Sequence, residues 1–468
     1  MFLSTRNYDY RWYRFLVGAS KKNCEIITKK KLKLKVFENC KFPNLSYIFF
    51  LINLIFTGKI FSKKDRALIY YKDVELGRFV VSNTLINFKT YINKRLFYFH
   101  LFKNFLKAGS LIKACENYNN NHNIEGLYVD HCQYINGIIF SYFSKKNIPI
   151  YTNNYPKGLF CINHNKKNNL KIYKWENALK IKKEIYLNRN KKIKAYNCLK
   201  KLTQKKNFNI SLGNTRFTKI TQMNYENFDY VIYTHSFTDG QMFYGYDGFE
   251  NTLDWLVFTI NILLDNKKNI LIKPHPNFFN DSLTSYAQWD RKIFDLIKEK
   301  YKNFENICFL KTPVHNYQLL KRLKKNCILI TKHGSVLLES SFMNYKTICS
   351  ESNFFETNYR ITNYWKNINQ YKKLLLKDHK ALKNCNKNDL HLLIYHLFYV
   401  YNSTYNLKNS YESIIKKLIN IPDKKFNKIF HITARAKFND GNKKLFKNFS
   451  ESKLNLINKR ISDKILLL

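Results

Sequence analysis

Residues 327–350 read CILITKHGSVLLESSFMNYKTICS. CILIT (327–331) is a short apolar run that stops at Lys332-His333-Gly334-Ser335. SVLLESSFM (335–343) then has the length and spacing of a helix, and KTICS (346–350) reads as another strand. Strand, turn, helix and strand in so short a span make a βαβ unit, and with it a parallel sheet buried on both faces. The polar residues stand in the turn that leaves the first strand. In an open α/β sheet, ligands bind beyond that end of the strands.

The same rhythm runs outward from this unit. DYVIYT (229–234), NILIKPHP (269–276) and NICFLK (306–311) are predicted strands. NTLDWLVFTINILL (251–264), the stretch 282–301 and NYQLLKRL (316–323) are the helices between them. The first half alternates less cleanly. ALIYY (67–71), GLYVD (126–130) and IPIYTN (148–153) read as strands, and 74–88, about 96–118 and 134–147 as helices. A basic, helical stretch (171–206) and a connector (208–217) lead to an expected boundary near residue 215. A chain of 468 residues accommodates two or three domains. The expected division is an N-terminal α/β domain at 1–214, a second at 215–400 and a helical extension at 401–468.

Composition narrows the class. Apolar residues make up 45% of the chain, which excludes a disordered protein, and 13 Gly with 7 Pro are too few for a turn-rich sandwich or repeat array. Lys and Arg number 81 against 33 acids, a net charge of +48. Such charge fits an anionic partner, whether nucleic acid, acidic lipid or a nucleotide-linked substrate. The joint abundance of Lys, Asn, Ile, Tyr and Phe fits AT-rich coding equally well. The lysines are spread along the chain without a zinc-finger spacing or an arginine-rich arm, so no nucleic-acid partner is expected. The ten cysteines form no CxxC pair, which points to a reducing cytoplasm and away from disulfides or zinc. The N-terminus lacks a signal-peptide core. SYIFFLINLIF (46–56) is eleven residues, short of the ~18–20 that cross a bilayer, and reads as a buried helix or an interfacial segment.

Four predicted strand ends carry polar clusters: His131 after GLYVD, His235 to Gly240 after DYVIYT, Lys273 to Pro276 after NILI, and Lys332 to Ser335 after CILIT. Gly334 allows close approach of a ligand to backbone, and Ser335 opens a helix whose first amides suit a phosphate. Glu339, one turn in, suits ribose hydroxyls; a plain serine N-cap with a solvated glutamate is the alternative. Pro274 and Pro276 hold His275 rigidly enough to meet a phosphate or protonate a leaving oxygen. A histidine simply packed in a turn is the alternative there.

IKPHPN (272–277), followed by TKHGSVLLESSFMNYKTI (331–348), resembles the bacterial capsule and surface polysaccharide biosynthesis proteins. The resemblance is best over 225–352 and extends to 129–151 and 73–86. It implies a GT-B-like glycosyltransferase: an α/β protein of two Rossmann-like domains facing a cleft. It implies a nucleotide-sugar site at His275, Gly334, Ser335 and Glu339; Lys273, His333 and Ser340, beside them in the sequence, are expected to join it. Asp239, followed by Gly240, is similar to the base position of some enzymes using cytidine-activated sugars, so a CMP-linked donor is one expectation. Asp239 is the first choice of base, with Asp130 or His131 second. The donor is a co-substrate, and neither a metal nor another cofactor is expected, since no Asp-x-Asp motif stands in the right place. The expected acceptor is a polysaccharide or a lipid-linked sugar, met in the cytoplasm or at the inner-membrane surface. The polyol-phosphate transferases of teichoic-acid synthesis are similar too, although they carry Tyr-Ser-Ser where this chain has His-Gly-Ser. A non-catalytic basic protein that binds nucleic acid or membrane is the rival from another class.

Overall fold

In the computed structural model the chain is described over residues 2–4, 34–36, 42–162 and 223–390, with short gaps inside the longer spans, and at the single positions 40, 190, 193 and 197. Apart from those single positions, the expectations for 171–206, 208–217 and 401–468, and the boundary near 215, lie outside the described residues, as do Asp130, His131 and Ser335.

The first half contains strands β1 (Phe2–Ser4) and β2 (Leu34–Val36), then helices α1 (Leu45–Phe56) and α2 (Lys63–Ala67). Next come β3 (Tyr70–Tyr71), β4 (Val74–Glu75), α3 (Gly77–Leu85), α4 (Lys89–Ile92) and α5 (Lys94–Asn121). β5 (Gly126–Val129), α6 (Gly137–Ser144), β6 (Ile150–Asn154) and β7 (Gly158–Ile162) follow. Five of these strands form a sheet in the order β2-β1-β5-β6-β7, parallel except for the antiparallel pair β6–β7. The sheet strand expected at 67–71 is absent. Ala67 closes α2, and Tyr70–Tyr71 folds straight back on Val74–Glu75. Lys72 and Asp73 make that turn at φ of 46° and 67°, the left-handed pair that a two-residue hairpin needs. The helix expected from 74 starts after the hairpin, at Gly77. The buried helix expected at 46–56 is buried on one side only.

The second half contains β8 (Tyr230–Tyr233), α7 (Thr252–Asp265), β9 (Ile270–Lys273), α8 (Ser285–Lys300) and β10 (Ile307–Phe309). α9 (Asn316–Leu320), β11 (Ile328–Thr331), α10 (Val336–Phe342), β12 (Thr347–Ser350), β13 (Asn363–Trp365) and α11 (Ile368–Leu375) complete it. All six strands are parallel, in the order β10-β9-β8-β11-β12-β13. Every residue of β8, β9, β11 and β12 is buried, the mark of a sheet covered on both faces. Alternate residues feed two cores. Tyr230 and Ile232 pack with Trp255, Leu256 and Ile260 of α7, while Val231 and Tyr233 pack with Leu319, Leu320 and Tyr345. Each such Ile or Leu contributes about 1.5–3 kcal/mol on burial. β13 and α11 were not anticipated; they set Trp365 between Trp255 and Tyr371. Among the described residues no helix is long and apolar enough to cross a membrane.

The long loop between β8 and α7 is clasped by the first half. Arg66 on α2 forms a two-pronged ion pair with Glu250, their side chains only 5% and 2% exposed. The Ser82 hydroxyl donates to the Gln241 carbonyl, and the Tyr91 hydroxyl to that of Phe237. Removing one member of a buried pair strands the other's charge, at a cost of about 3–5 kcal/mol. Glu250→Ala is therefore expected to lower the urea-unfolding free energy by about that amount. Arg66→Met with Glu250→Met should recover most of the loss.

Candidate functional site

The strand order of the second sheet determines where a ligand fits. From β8 the chain steps to β9 and β10 on one side, then returns to β11 on the other. The loops after β8 and β11 leave in opposite directions, and the crevice between them is the usual ligand site of such sheets.

Three histidines meet there. Thr331, Tyr233 and Lys273 are paired in register across β11, β8 and β9. Two residues further along each strand stand His333, His235 and His275. The His235 ring lies 4.0 Å from that of His333 and 5.6 Å from that of His275, centroid to centroid. Tyr244 closes the far side at 5.5 Å from His333. The strand ends are stitched together: the His275 amide donates to Thr234 Oγ1 at 3.1 Å, and the Thr331 hydroxyl to the His333 carbonyl at 3.0 Å. Nδ1 of His235 and Nδ1 of His333 are buried without a hydrogen-bond partner among the described residues.

Burial decides the charge state of these rings. It pushes His275 down to about 3, helped by the neighbouring His235 and Lys273. His333 is pushed down by burial, then by His235, Lys332 and His275. His235 is lowered by burial and by Lys332, against the pull of Asp239. All three are neutral imidazoles at neutral pH, each with one N–H to donate.

Two buried lysines flank the rings. Lys332 Nζ is 3.2 Å from Asp247, whose other carboxylate oxygen is buried and unpartnered among the described residues. Lys273, only 6% exposed, lies over the Tyr233 ring at 5.8 Å and has no ion-pair partner within reach among the described residues. Burial pulls it down to about 8, with Glu339 pulling the other way. Glu339 in turn accepts from Asn316 Nδ2 at 2.7 Å, and burial raises its carboxyl above the usual range. Glu339 thus stands behind Lys273 and is held by α9. Ser340 is buried next to it, its hydroxyl unpartnered among the described residues. Gly334 has φ of +140°, which only glycine adopts freely, and the nearest atoms to a built Cβ are 4.0 Å away. Backbone geometry, not crowding, requires glycine there.

Asp239 is exposed at the lip of the crevice. Tyr134, from the first half, donates its hydroxyl to Asp239 and accepts from the Gly240 amide at 3.0 Å. Beneath, buried Asp290 on α8 accepts from the Ser236 hydroxyl at 2.6 Å, the Phe237 and Thr238 amides at 2.9 and 3.0 Å, and the Thr238 hydroxyl at 2.9 Å. It fixes the backbone that carries His235 and Asp239. The structure therefore gathers His275, His333, Gly334 and Lys273 at one place, with Glu339 and Ser340 adjoining and Asp239 at the rim. His235, Asp290 and the hydroxyl role of Tyr134 were missed in the site set. A signal for His235 existed: VIYTH, LIKPH and LITKH each place histidine two residues beyond the strand. Among the described residues no group of three or more His, Cys, Asp or Glu is arranged to hold a metal ion.

No protein-family model matches the chain, and no curated protein matches it. Among solved structures it is similar to Thermosulfurimonas dismutans KpsC, a β-Kdo 2,4 transferase. The identity is 11%, with 58% of this chain and 78% of that one covered at a TM-score of 0.37. It is also similar to the UDP-GlcNAc 2-epimerase of Methanocaldococcus jannaschii, at 15% identity, 63% and 81% coverage and a TM-score of 0.25. At such scores neither likeness bears on what this chain does.

A base whose folded pKa lies below its unfolded value stabilises the fold above the unfolded pKa, near 6.5 for histidine, and loses that contribution as pH falls. Below about pH 6.5 each buried histidine should cost about 1.4 kcal/mol per pH unit. Urea midpoints are expected to fall steeply between about pH 7 and pH 5, and less steeply in His235→Asn with His333→Asn.

Proposed function

We propose that the chain is a glycosyltransferase that moves a sugar from a nucleotide-activated donor to a surface-polysaccharide or lipid-linked acceptor. The observation that carries this reading is the group of three neutral imidazoles at the strand crossover beside a buried ammonium, Lys273, that has no ion pair among the described residues. A buried cation needs a counter-charge, and the buried Nδ1 atoms of His235 and His333, without partners among the described residues, mark unfilled hydrogen-bonding capacity. A diphosphate or phosphodiester supplies both.

In this reading residues 215–400 hold the donor and residues 1–214 the acceptor, across a cleft between two Rossmann-like domains. The donor phosphate lies against Lys273, His275, His235 and His333, with the open space beside Gly334 admitting it close to backbone. Ser335 and Ser340 add hydroxyls, and Glu339 holds Lys273 in place while reaching for the ribose. Asp239 takes the proton of the acceptor hydroxyl, with Tyr134 fixing its carboxylate; Asp130 and His131 are the other bases within the proposal. The acceptor oxygen bonds to the anomeric carbon as the carbon–oxygen bond to phosphate breaks. The bonding pair leaves on the phosphate oxygen, where the ammonium and the imidazole N–H groups stabilise it. His275 acts as a neutral hydrogen-bond donor in the free protein, and a bound phosphate raises its proton affinity.

Nucleotides are expected to bind whether or not a sugar is attached. A CMP, CDP, UDP or GDP compound at about 100 times its Kd should stabilise the fold by about 2.7 kcal/mol, seen as a rise in melting temperature. His275→Ala and Lys273→Met should abolish the rise. If no nucleotide moves the melting temperature, or both variants respond like the wild type, the crevice does not hold a nucleotide.

The ammonium of Lys273 also predicts a pH profile. Its pKa, about 8 in the free protein, must rise when phosphate binds, so affinity is full below about pH 7 and lost as pH climbs through the pKa. Calorimetric Kd values should rise by up to about tenfold per pH unit above about pH 8. In Lys273→Met, binding should be weak and independent of pH over that range.

A further inference from the structure

α1 has two apolar faces. Tyr47, Leu51 and Leu54 are buried. Tyr47 sits on Gly109 of α5, where a Cβ would come within 2.3 Å of its ring, and its hydroxyl donates to the Phe105 carbonyl at 2.9 Å. The opposite side carries Leu45, Phe49, Ile52 and Phe56, spaced as one helical stripe and exposed by 73%, 68%, 40% and 86%. Phe42, just before the helix, is 74% exposed. A protein in water seldom leaves such a row of large apolar side chains uncovered.

Charge near the stripe is mainly basic, and Glu116, by its N-terminal end, is paired with Lys72 at 3.2 Å. α1 itself, LSYIFFLINLIF, has no charged residue. Beyond its C-terminus, Lys59 and Lys64 are exposed, with Asp65 the single acid in that turn. α5 runs antiparallel beside α1: Asn44 donates to Glu116 at one end, and the Phe61 ring meets Tyr98 at the other. Its own outer face alternates exposed Phe99 and Leu106 with exposed Arg95, Lys103 and Lys107. Twelve residues of helix are about 18 Å long, too short to span a bilayer but suited to lying along its surface. Apolar side chains inserted between headgroups, with cations around them, form the paired signal of stable interfacial binding.

We infer that α1 docks this protein on an anionic lipid bilayer, its outer stripe lying in the headgroup–acyl boundary and the lysines and arginine beside it on the lipid phosphates. The inference stands apart from the glycosyltransferase reading, although it would bring a lipid-linked acceptor within reach of the first half.

The test is co-sedimentation of the full chain with vesicles of phosphatidylcholine alone and of phosphatidylcholine mixed equally with phosphatidylglycerol. Binding is expected to the mixed vesicles, weakened but not abolished by salt. Phe49→Ser with Phe56→Ser should lower the vesicle partition coefficient by about tenfold or more, because both side chains are lost from the inserted stripe. The melting temperature and the nucleotide response should stay as in the wild type, since neither side chain is buried. A double variant that binds like the wild type would overturn the inference, leaving diffuse lysine charge as the attraction. So would a wild-type chain that ignores both vesicles. If the double substitution turned a dimer into a monomer without affecting lipid binding, the stripe would be an interface between copies. If Phe56→Cys resisted a water-soluble maleimide in lipid-free solution, another part of the chain would cover it. Either result would also sink the docking proposal.

Discussion

The candidate site depends on the register of three neighbouring strands. Hydrogen bonding pairs Thr331 with Tyr233 and Tyr233 with Lys273, so the residues two places further on must also lie side by side. Those residues are His333, His235 and His275. A slip of one residue in β11 or β9 would turn a histidine to the other face of the sheet and bury a polar ring in an apolar core. All four residues of each strand are buried, and alternate residues enter two different cores, so a slip would exchange the side chains of both. The crossover from β10 back to β11 then opens a crevice between the central pair, so the fold that aligns the histidines also gives them a space to face.

That arrangement costs folding stability. Three imidazoles are held neutral by burial, and among the described residues two ring nitrogens lack partners and buried Lys273 has no ion pair. A region selected for stability alone would fill such positions with apolar side chains. The neighbouring polar groups show what satisfied burial looks like. Asp290 accepts four hydrogen bonds, and Arg66 with Glu250 closes a two-pronged pair. The contrast separates groups that hold the loop from His235 Nδ1 and His333 Nδ1, buried without a partner among the described residues. It also explains why the first half grips the loop between β8 and α7 so firmly: Tyr134, Ser82, Tyr91 and Arg66 all act on the segment that carries His235 and Asp239.

Much of the second sheet was legible in the chain. Its central strands are short apolar runs with β-branched residues that stop at polar residues or proline, and the structure places them close to where those patterns end. The first half was harder. ALIYY has the composition of a strand, yet only the left-handed turn at Lys72 and Asp73 makes it half of a tiny hairpin, and no apolar pattern reports that turn. β13 and α11 escaped because three and eight residues carry too little periodicity, although their Trp365 and Tyr371 are core anchors. Within the site, His275, His333 and Gly334 were visible as turn chemistry at strand ends. His235 has no proline or glycine next to it to mark its turn, and the strand order that sets it between His275 and His333 is a tertiary fact. The turn and helix pattern suits Glu339 to ribose hydroxyls, but no pattern reports that Asn316 donates to it or that its carboxyl acts on Lys273 through space.

The most direct test of the site is proton–nitrogen NMR of protein labelled with ¹⁵N-histidine during titration with nucleoside mono- and diphosphates. The signals are assigned with His235→Gln, His275→Gln and His333→Gln. Twelve histidines report at once. If the strand-end cluster is the nucleotide site, the ring signals of His235, His275 and His333 shift together and saturate at one Kd, while rings remote from the crevice stay still. If nucleotide binds and moves other histidines, or leaves these three unchanged, the cluster is a packed corner of the fold and the donor site lies elsewhere.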